Sequence, residues 1–325
     1  MEIGNRLLIL TEAGEGIGYG HYSRCLALKQ YFDQREIPTE IFLYAKGDET
    51  VYSDASVRNW ILELGDINEP KIYSHVLLDS YLIPLNYIGT LKSRFDKVIA
   101  LDDYHRIDIG PDLIINPNIF GNKVKYNVTA VGGRDFVILR NSFRQGNFKI
   151  KIKEEIQNIL LTLGGSDTKG LIPILSKILL RFSKSKVKIV AGSDRYAMEL
   201  GSQFESQRDR LNFFGFVSDE EMKQLMLGAD VAISACGQTL HELASLGVPT
   251  IGICVGDDQI LNMKEYLTLG FLNDEIYWNS SNFDAFIINN LNYLGPAKAR
   301  NSKSLLGKSL FNDQGLNNIY NAIFK

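Results

Sequence analysis

The sequence predicts an α/β protein made of two successive open parallel-sheet domains. Short runs rich in Ile, Val and Leu alternate with longer segments of helical period. The alternation breaks in a polar stretch, residues 141–157, and then starts afresh. A length of 325 residues, at ~150 residues per domain, allows about two domains that each bury a core.

The first half offers strands near Arg6–Leu10, Thr39–Tyr44, Val76–Leu78, Lys97–Leu101 and Leu113–Ile115. After the first of them Cys25, Leu28 and Phe32 share a helical face. The Phe136–Leu139 run closes this half. The second half repeats the pattern with strands near Ile159–Leu163, Val187–Ala191, Leu211–Phe214, Val231–Ser234 and Thr250–Val255. Helices are expected at Leu171–Phe182, Asp219–Leu227 and Thr239–Ser245. The expected division is a first domain over 1–144, a linker over 145–157 and a second domain over 158–325, whose last helix is a candidate to cross back.

Composition narrows the function classes. Lys and Arg number 35 against 38 Asp and Glu, a net charge of −3, which argues against affinity built on nucleic-acid phosphates. The N-terminus places an acid at position 2 and only a five-residue apolar run before polar residues return, so no signal peptide is expected. No run reaches the ~18 apolar residues that cross a bilayer, and the chain reads as cytoplasmic. Cys25, Cys236 and Cys254 are widely spaced and there are four His, so reduced thiols, no structural metal and no cofactor are expected. Oligomeric state is left open.

Three loops carry the candidate chemistry. Gly14, Gly16, Gly18 and Gly20 put four glycines in seven residues just before His21. Such a loop lets the backbone approach a ligand, yet its spacing is neither GxGxxG nor Walker A. His21 at the helix entry reads as a base at cell pH, or as a ring that caps the helix. Gly164-Gly165-Ser166-Asp167 follows a strand and suits phosphate oxygens, or is a turn with Ser166 or Asp167 as N-cap. Gly237-Gln238-Thr239 precedes another helix, whose N–H groups and dipole would face a diphosphate. Glu242 reads as a partner for a ribose diol or as the second half of a capping box with Thr239, and His241 reads as structural.

Weaker signals follow other strands. Tyr81, in Asp79-Ser80-Tyr81, is a cleft or a packing tyrosine. Asp102-Asp103 suggests a metal site, or a turn. Asp258-Gln259 offers sugar-hydroxyl partners, or a solvated turn.

Taken together, GIGYGHYSRCLALKQ, LLDSY, ALDDY, FVILRNSF, LTLGGSDTKG, GADVAISACGQTLHELASLGVPTIGI, DDQ and NDQG resemble, in order and approximate spacing, one family over nearly the whole chain. It is the UDP-sugar hydrolase family of pseudaminic acid biosynthesis, the UDP-2,4-diacetamido-2,4,6-trideoxy-β-L-altropyranose hydrolases, with related spore-coat polysaccharide biosynthesis proteins. The second half also resembles the lipid II-forming N-acetylglucosaminyltransferase of peptidoglycan synthesis. The resemblance implies a GT-B architecture, two Rossmann-like open-sheet domains facing across a cleft, with the sugar and the histidine loop on the first and the nucleotide on the second.

It further implies a UDP-sugar substrate, hydrolysed at the anomeric carbon with inversion to release UDP and a free, amino-deoxy sugar for glycan or nonulosonic acid synthesis. His21 matches the histidine that activates water, and Tyr81 the tyrosine near the sugar. Gly165, Ser166, Thr239 and Glu242 match the nucleotide region, and Gly18, Gly20, Gly164, Gly237, Gln238, Asp258 and Gln259 complete the expected substrate contacts. Two departures stand out: Cys236-Gly237-Gln238-Thr239 replaces a Gly-Gly-Ser-Thr-like turn, and Asp258-Gln259 replaces Asn-Gln. A glycosyltransferase using an acceptor hydroxyl, or a non-catalytic sugar-nucleotide binder, would need much the same residues.

Overall fold

The computed structural model describes residues 6–14, 16–47, 52, 54–63, 72–84, 86–107, 110–144, 148, 150–182 and 184–325. The chain forms two compact units, one of Met1–Asn141 with Asp313–Lys325 and one of Ser142–Asn312.

In the first unit strand β1 (Leu7–Gly14) leads into helix α1 (Gly20–Asp33), followed by β2 (Thr39–Lys46), β3 (Ser56–Val57) and the short α2 (Trp60–Glu63). Strand β4 (His75–Asp79), α3 (Tyr87–Lys92), β5 (Lys97–Leu101), β6 (Leu113–Asn116) and β7 (Ala130–Gly132) complete it. The sheet order is β3-β2-β1-β4-β5-β6-β7 and every pairing is parallel. β1 is buried throughout because it has helices on both faces. Leu7 and Ile9 join Leu28, Phe32 and Leu77 in one core layer, while Leu8 and Leu10 join Trp60, Val76 and Leu78 in the other.

The second unit begins with the short α4 (Asn141–Arg144), whose first residue belongs to the first unit, and continues through β8 (Asn158–Thr162), α5 (Leu171–Phe182), β9 (Lys186–Val190) and α6 (Asp194–Gln203). Then come β10 (Leu211–Phe214), α7 (Asp219–Leu227), β11 (Val231–Ala235), α8 (Gln238–Leu246), β12 (Thr250–Ile253) and α9 (Ile260–Thr268). α10 (Phe283–Leu294) and α11 (Ala297–Ser309) end this unit, and α12 (Gly315–Phe324) lies in the first. The sheet order is β10-β9-β8-β11-β12, again parallel.

The structure corrects or refines the sequence reading at three points. The 158–325 boundary runs too far, because residues 313–325 pack with the first unit. The stretch read as a linker, of which 145–147 and 149 lie outside the described residues, belongs to the second unit. Phe148 and Ile150 pack against its core, and the buried Arg300 donates from Nη2 to Lys153 O at 2.8 Å and Glu154 O at 3.0 Å. After the one-turn helix Arg134–Phe136, Val137–Leu139 is buried without joining the sheet.

Candidate active site

In an open parallel sheet, ligands bind beyond the carboxyl ends of the strands where the strand order reverses. In the first unit that point lies between β1 and β4. The glycine loop with His21 follows β1, and Asp79-Ser80-Tyr81 follows β4.

The loop needs its first glycine for steric reasons. Gly14 has φ +114°, and a Cβ there would lie 2.2 Å from Lys46 O on the neighbouring strand. Gly18 N–H donates to Gly14 O at 2.9 Å and closes the turn. Helix α1 then starts behind Tyr19, whose side chain does not cap it, and His21 lies inside the helix with Nδ1 on Asp79, so it does not hold the N-cap position. His21, Arg24 and Cys25 share one face of α1, at i, i+3 and i+4, and all three are buried.

That face meets two carboxylates. His21 Nδ1 donates to Asp79 Oδ1 at 2.7 Å. Arg24 Nε donates to Asp79 Oδ2 at 2.7 Å, while its Nη1 and Nη2 reach Asp103 at 2.6 and 2.8 Å. Arg24 thus joins the acid that ends β4 to an acid just after β5. Tyr81 donates its hydroxyl proton to Asp103 Oδ2 at 2.5 Å and sets its ring edge-on to His21, centroids 4.4 Å apart at 85°. Glu12 on β1 fixes the Tyr81 backbone by accepting from Tyr81 N at 2.8 Å, and it also takes the Ser80 hydroxyl.

The electrostatics follow from this packing. Burial works against an imidazolium at His21, but the Asp79 carboxylate outweighs it and raises the pKa above the usual histidine value; Arg24 opposes that rise. Burial would raise Asp79, yet Arg24 and His21 hold its carboxyl well below the ordinary range. Asp103 is likewise lowered, burial being overcome by Arg24. With Nδ1–H committed to Asp79, the neutral imidazole carries its lone pair on Nε2, the arrangement of a base oriented by a carboxylate.

The acidic pair after β5 is accounted for. Asp102 accepts from Arg106 N and Ile107 N, both at 3.0 Å, and so is a turn residue, whereas Asp103 is the counterion of Arg24. Among the described residues no group of three His, Cys, Asp or Glu is placed to hold a metal ion.

In the second unit the order reverses between β8 and β11, and both expected phosphate turns follow those strands. After β8, Asp167 accepts from Leu171 N at 2.7 Å and Ile172 N at 2.8 Å. Asp167 therefore caps α5, and Ser166 is exposed beside Gly164, at φ +91°, and Gly165. After β11, Gly237 occupies the N-cap of α8 with no side-chain hydrogen bond, so Gln238 and Thr239 are the first helical residues. Thr239 cannot then be the first half of a capping box, because it already lies inside the helix. Glu242 is 1% exposed on the same helix. His241 is equally buried, with Nδ1 2.7 Å from the Tyr266 hydroxyl, a structural pairing.

Gln259 Oε1 accepts from Cys236 N at 3.1 Å and Val255 N at 3.3 Å, tying together the ends of β11 and β12. Asp258 is exposed, its carboxylate folded close over Gly256. The structure thus joins His21 to Tyr81 and sets Gln259 beside the Gly237 turn. Sequence reading missed Arg24, gave Asp79 no role of its own, and read Asp103 as a metal ligand or a turn residue rather than as the counterion of Arg24. The usable signal was an arginine one position before Cys25, on an otherwise apolar helix face.

No established family profile matches the sequence. The chain is 31% identical over 262 residues to the pseudaminic acid cytidylyltransferase and UDP-2,4-diacetamido-2,4,6-trideoxy-β-L-altropyranose hydrolase of Helicobacter pylori, covering 78% of this chain and 45% of that protein. It is 25% identical over 282 residues to the spore coat polysaccharide biosynthesis protein SpsG of Bacillus subtilis, covering 81% of each. An uncharacterized protein of Methanocaldococcus jannaschii is 24% identical over 292 residues, and the match spans 58% of its length. In fold the chain is similar to MurG of Acinetobacter baumannii, with TM-score 0.66 and 13% identity over 98% of this chain and 99% of that one. It is also similar to S. aureus MnaA in a co-structure with UDP, with TM-score 0.69 and 10% identity over 98% and 96%. The chain thus has the GT-B fold of two parallel-sheet α/β units, and in sequence it is similar to the spore coat polysaccharide biosynthesis protein and to part of the bifunctional protein that carries the UDP-altropyranose hydrolase.

Proposed function

We propose that this chain is a nucleotide-sugar hydrolase. It cleaves a UDP-linked amino-deoxy sugar at the anomeric carbon with inversion, releasing UDP and free sugar for glycan or nonulosonic acid synthesis. The observation that carries the reading is the buried His21–Asp79 pair at 2.7 Å at the switch point of the first sheet. The names of the two relatives, one a hydrolase of this substrate class, support it.

In this reading His21 Nε2 takes a proton from water as the water oxygen bonds to C1. The C1–O bond breaks and its electron pair stays on the diphosphate. The imidazolium that forms is stabilised by Asp79, whose carboxylate remains ionised. Tyr81 lines the sugar side, with its hydroxyl proton held by Asp103. Developing charge on the diphosphate is met by N–H groups at the start of α8 and by the Gly164-Gly165-Ser166 turn, donors worth up to ~3 kcal/mol each in a transition state. Thr239 and Glu242 serve the nucleotide, and Gly18, Gly20, Gln238 and Asp258 complete the contacts.

The test is to incubate purified protein with a panel of UDP-sugars in water enriched in oxygen-18, without acceptor. UDP release with the label on the sugar C1 hydroxyl, and an inverted anomer caught by NMR before mutarotation, is the expected result. Label on UDP would mean cleavage at phosphorus. Release only when an acceptor is added would mean a transferase, and binding without turnover a binder; each outcome overturns the hydrolase reading.

A further inference from the structure

The turn that opens α8 is gripped by side chains from the element that follows β12. Asn262, 1% exposed on the inner face of α9, donates from Nδ2 to Cys236 O at 2.8 Å. Gln259, three residues earlier, accepts from Cys236 N at 3.1 Å, an N–H it shares with Ile253 O. Both polar backbone atoms of Cys236 are therefore held by side chains spaced one helical turn apart.

Peptide planarity turns this grip into a direction. In a trans peptide the carbonyl of one residue and the N–H of the next point opposite ways. With the Cys236 carbonyl drawn to Asn262, the Gly237 N–H is turned away from α9. Gly237 is half-buried, and its N–H has no acceptor among the described residues. It precedes the first N–H groups of α8, where the helix dipole favours an anion.

A half-turn of the same peptide would bury that N–H and aim a carbonyl oxygen outward, which repels an anion. Glycine accepts either plane more readily than any other residue, so sterics alone do not choose between them. Asn262 pays for its place: its Oδ1 is buried with no partner among the described residues, so the amide is retained for its donor. His241 Nε2, 3.5 Å from the same Nδ2, flanks it.

Resting on the UDP-binding reading above, we propose that Asn262 is a positioning residue that locks the Cys236–Gly237 peptide so that Gly237 N–H is presented to the diphosphate of the substrate. It touches no substrate itself.

The measurement is UDP affinity by calorimetry, between about pH 5 and 8, for wild type, Asn262→Leu and Asn262→Asp, with melting temperatures as a check on folding. Asn262→Leu keeps the branching and the number of heavy atoms and loses the donor, so it should bind UDP about 10- to 100-fold more weakly at every pH. Asn262→Asp donates only while its carboxyl is protonated, and burial moves that titration up into the accessible range. Its affinity relative to wild type should be near one at low pH and fall toward the Leu variant as pH rises. A role in packing alone predicts the reverse: the near-isosteric Asp would follow wild type at all pH values, and that result overturns the proposal. Wild-type affinity in the Leu variant overturns it as well.

If Asn262→Leu does not fold, the pH series of Asn262→Asp decides alone. If wild type itself binds no UDP, the hydrolase reading fails, and crystal structures of wild type and Asn262→Leu judge the lock. A Cys236 carbonyl turned outward in the variant sustains it; an unmoved peptide overturns it.

Discussion

Under the proposed mechanism His21 relies on a neighbour that does not titrate in the working range. Because Asp79 is held ionised by Arg24, it orients the imidazole without competing for the proton. Replacing His21 with Asn should lower kcat by about 10²- to 10⁴-fold and leave UDP affinity within a few-fold of wild type; calorimetry beside steady-state kinetics separates the two. Asp79→Asn carries a signed pH prediction. Under the proposed mechanism the reactive base is neutral His21, so kcat/KM should rise with pH through a pKa raised above 6.5. Removing the carboxylate leaves burial and Arg24, which lower that pKa and outweigh the smaller rise from Asp103, so the acid limb should move to lower pH while the plateau falls. An acid limb that stays in place would mean that another group titrates. The variant should also lose about 3 kcal/mol of stability, because Arg24 keeps only Asp103 as a buried partner. Asp258 differs in kind: it is exposed, so Asp258→Asn should leave the melting temperature unchanged. If its loop meets the sugar, the ranking of UDP-sugars by kcat/KM should shift, since an ionised carboxylate only accepts hydrogen bonds whereas an amide also donates.

At the scale of elements, two glycines of a single turn show which backbone demands are steric. Gly14 combines φ +114° with a backbone oxygen 2.2 Å from where a Cβ would sit, whereas Gly18, at φ +85°, has nothing within 4 Å. Gly14→Ala should therefore cost more than about 3 kcal/mol, strain plus clash, and Gly18→Ala about 1 to 2 kcal/mol from strain alone. Equal losses in chemical denaturation would contradict this account. The strands were legible because buried parallel strands are nearly all apolar, as in Leu7–Leu10 and Ile159–Leu161. The three-residue β7 and the polar helix α11 were not, since neither offers a sustained apolar period. Within the candidate site, His21 and Tyr81 could be read from strand-end positions. The link from Arg24 to Asp103 joins residues 79 apart, and the Asn262 bond to Cys236 depends on a peptide plane, so neither leaves a mark in local spacing.

At the scale of the whole molecule, the last thirteen residues, 313–325, complete the unit that the first residues begin. Helix α12 places Leu316, Ile319 and Ile323 in the core layer of α1 and β1, all of them buried. Lys97 Nζ caps its end by donating to Ala322 O at 3.1 Å and Ile323 O at 2.6 Å. At its start Gly315 lies so close to Val137 O that a Cβ would reach 1.9 Å from it. Three buried aliphatic side chains at roughly 1.5–3 kcal/mol each make α12 worth about 5–9 kcal/mol to the first unit, an upper range from an extended unfolded chain. Because none of those contacts involves β8 to β12, deletion of 313–325 should destabilise the two units unequally. Hydrogen exchange should show β1, β4 and β5 losing protection by that order while β8 and β11 keep theirs, and Ile319→Ala should reproduce about 2–4 kcal/mol of the loss. Under the proposed division of labour the truncated protein should lose turnover before it loses UDP affinity, since His21 depends on the first unit and the α8 turn on the second. Uniform loss of protection across both sheets would show instead that the two units unfold as one cooperative body, and the stability of α12 would then have to be reckoned over the whole chain.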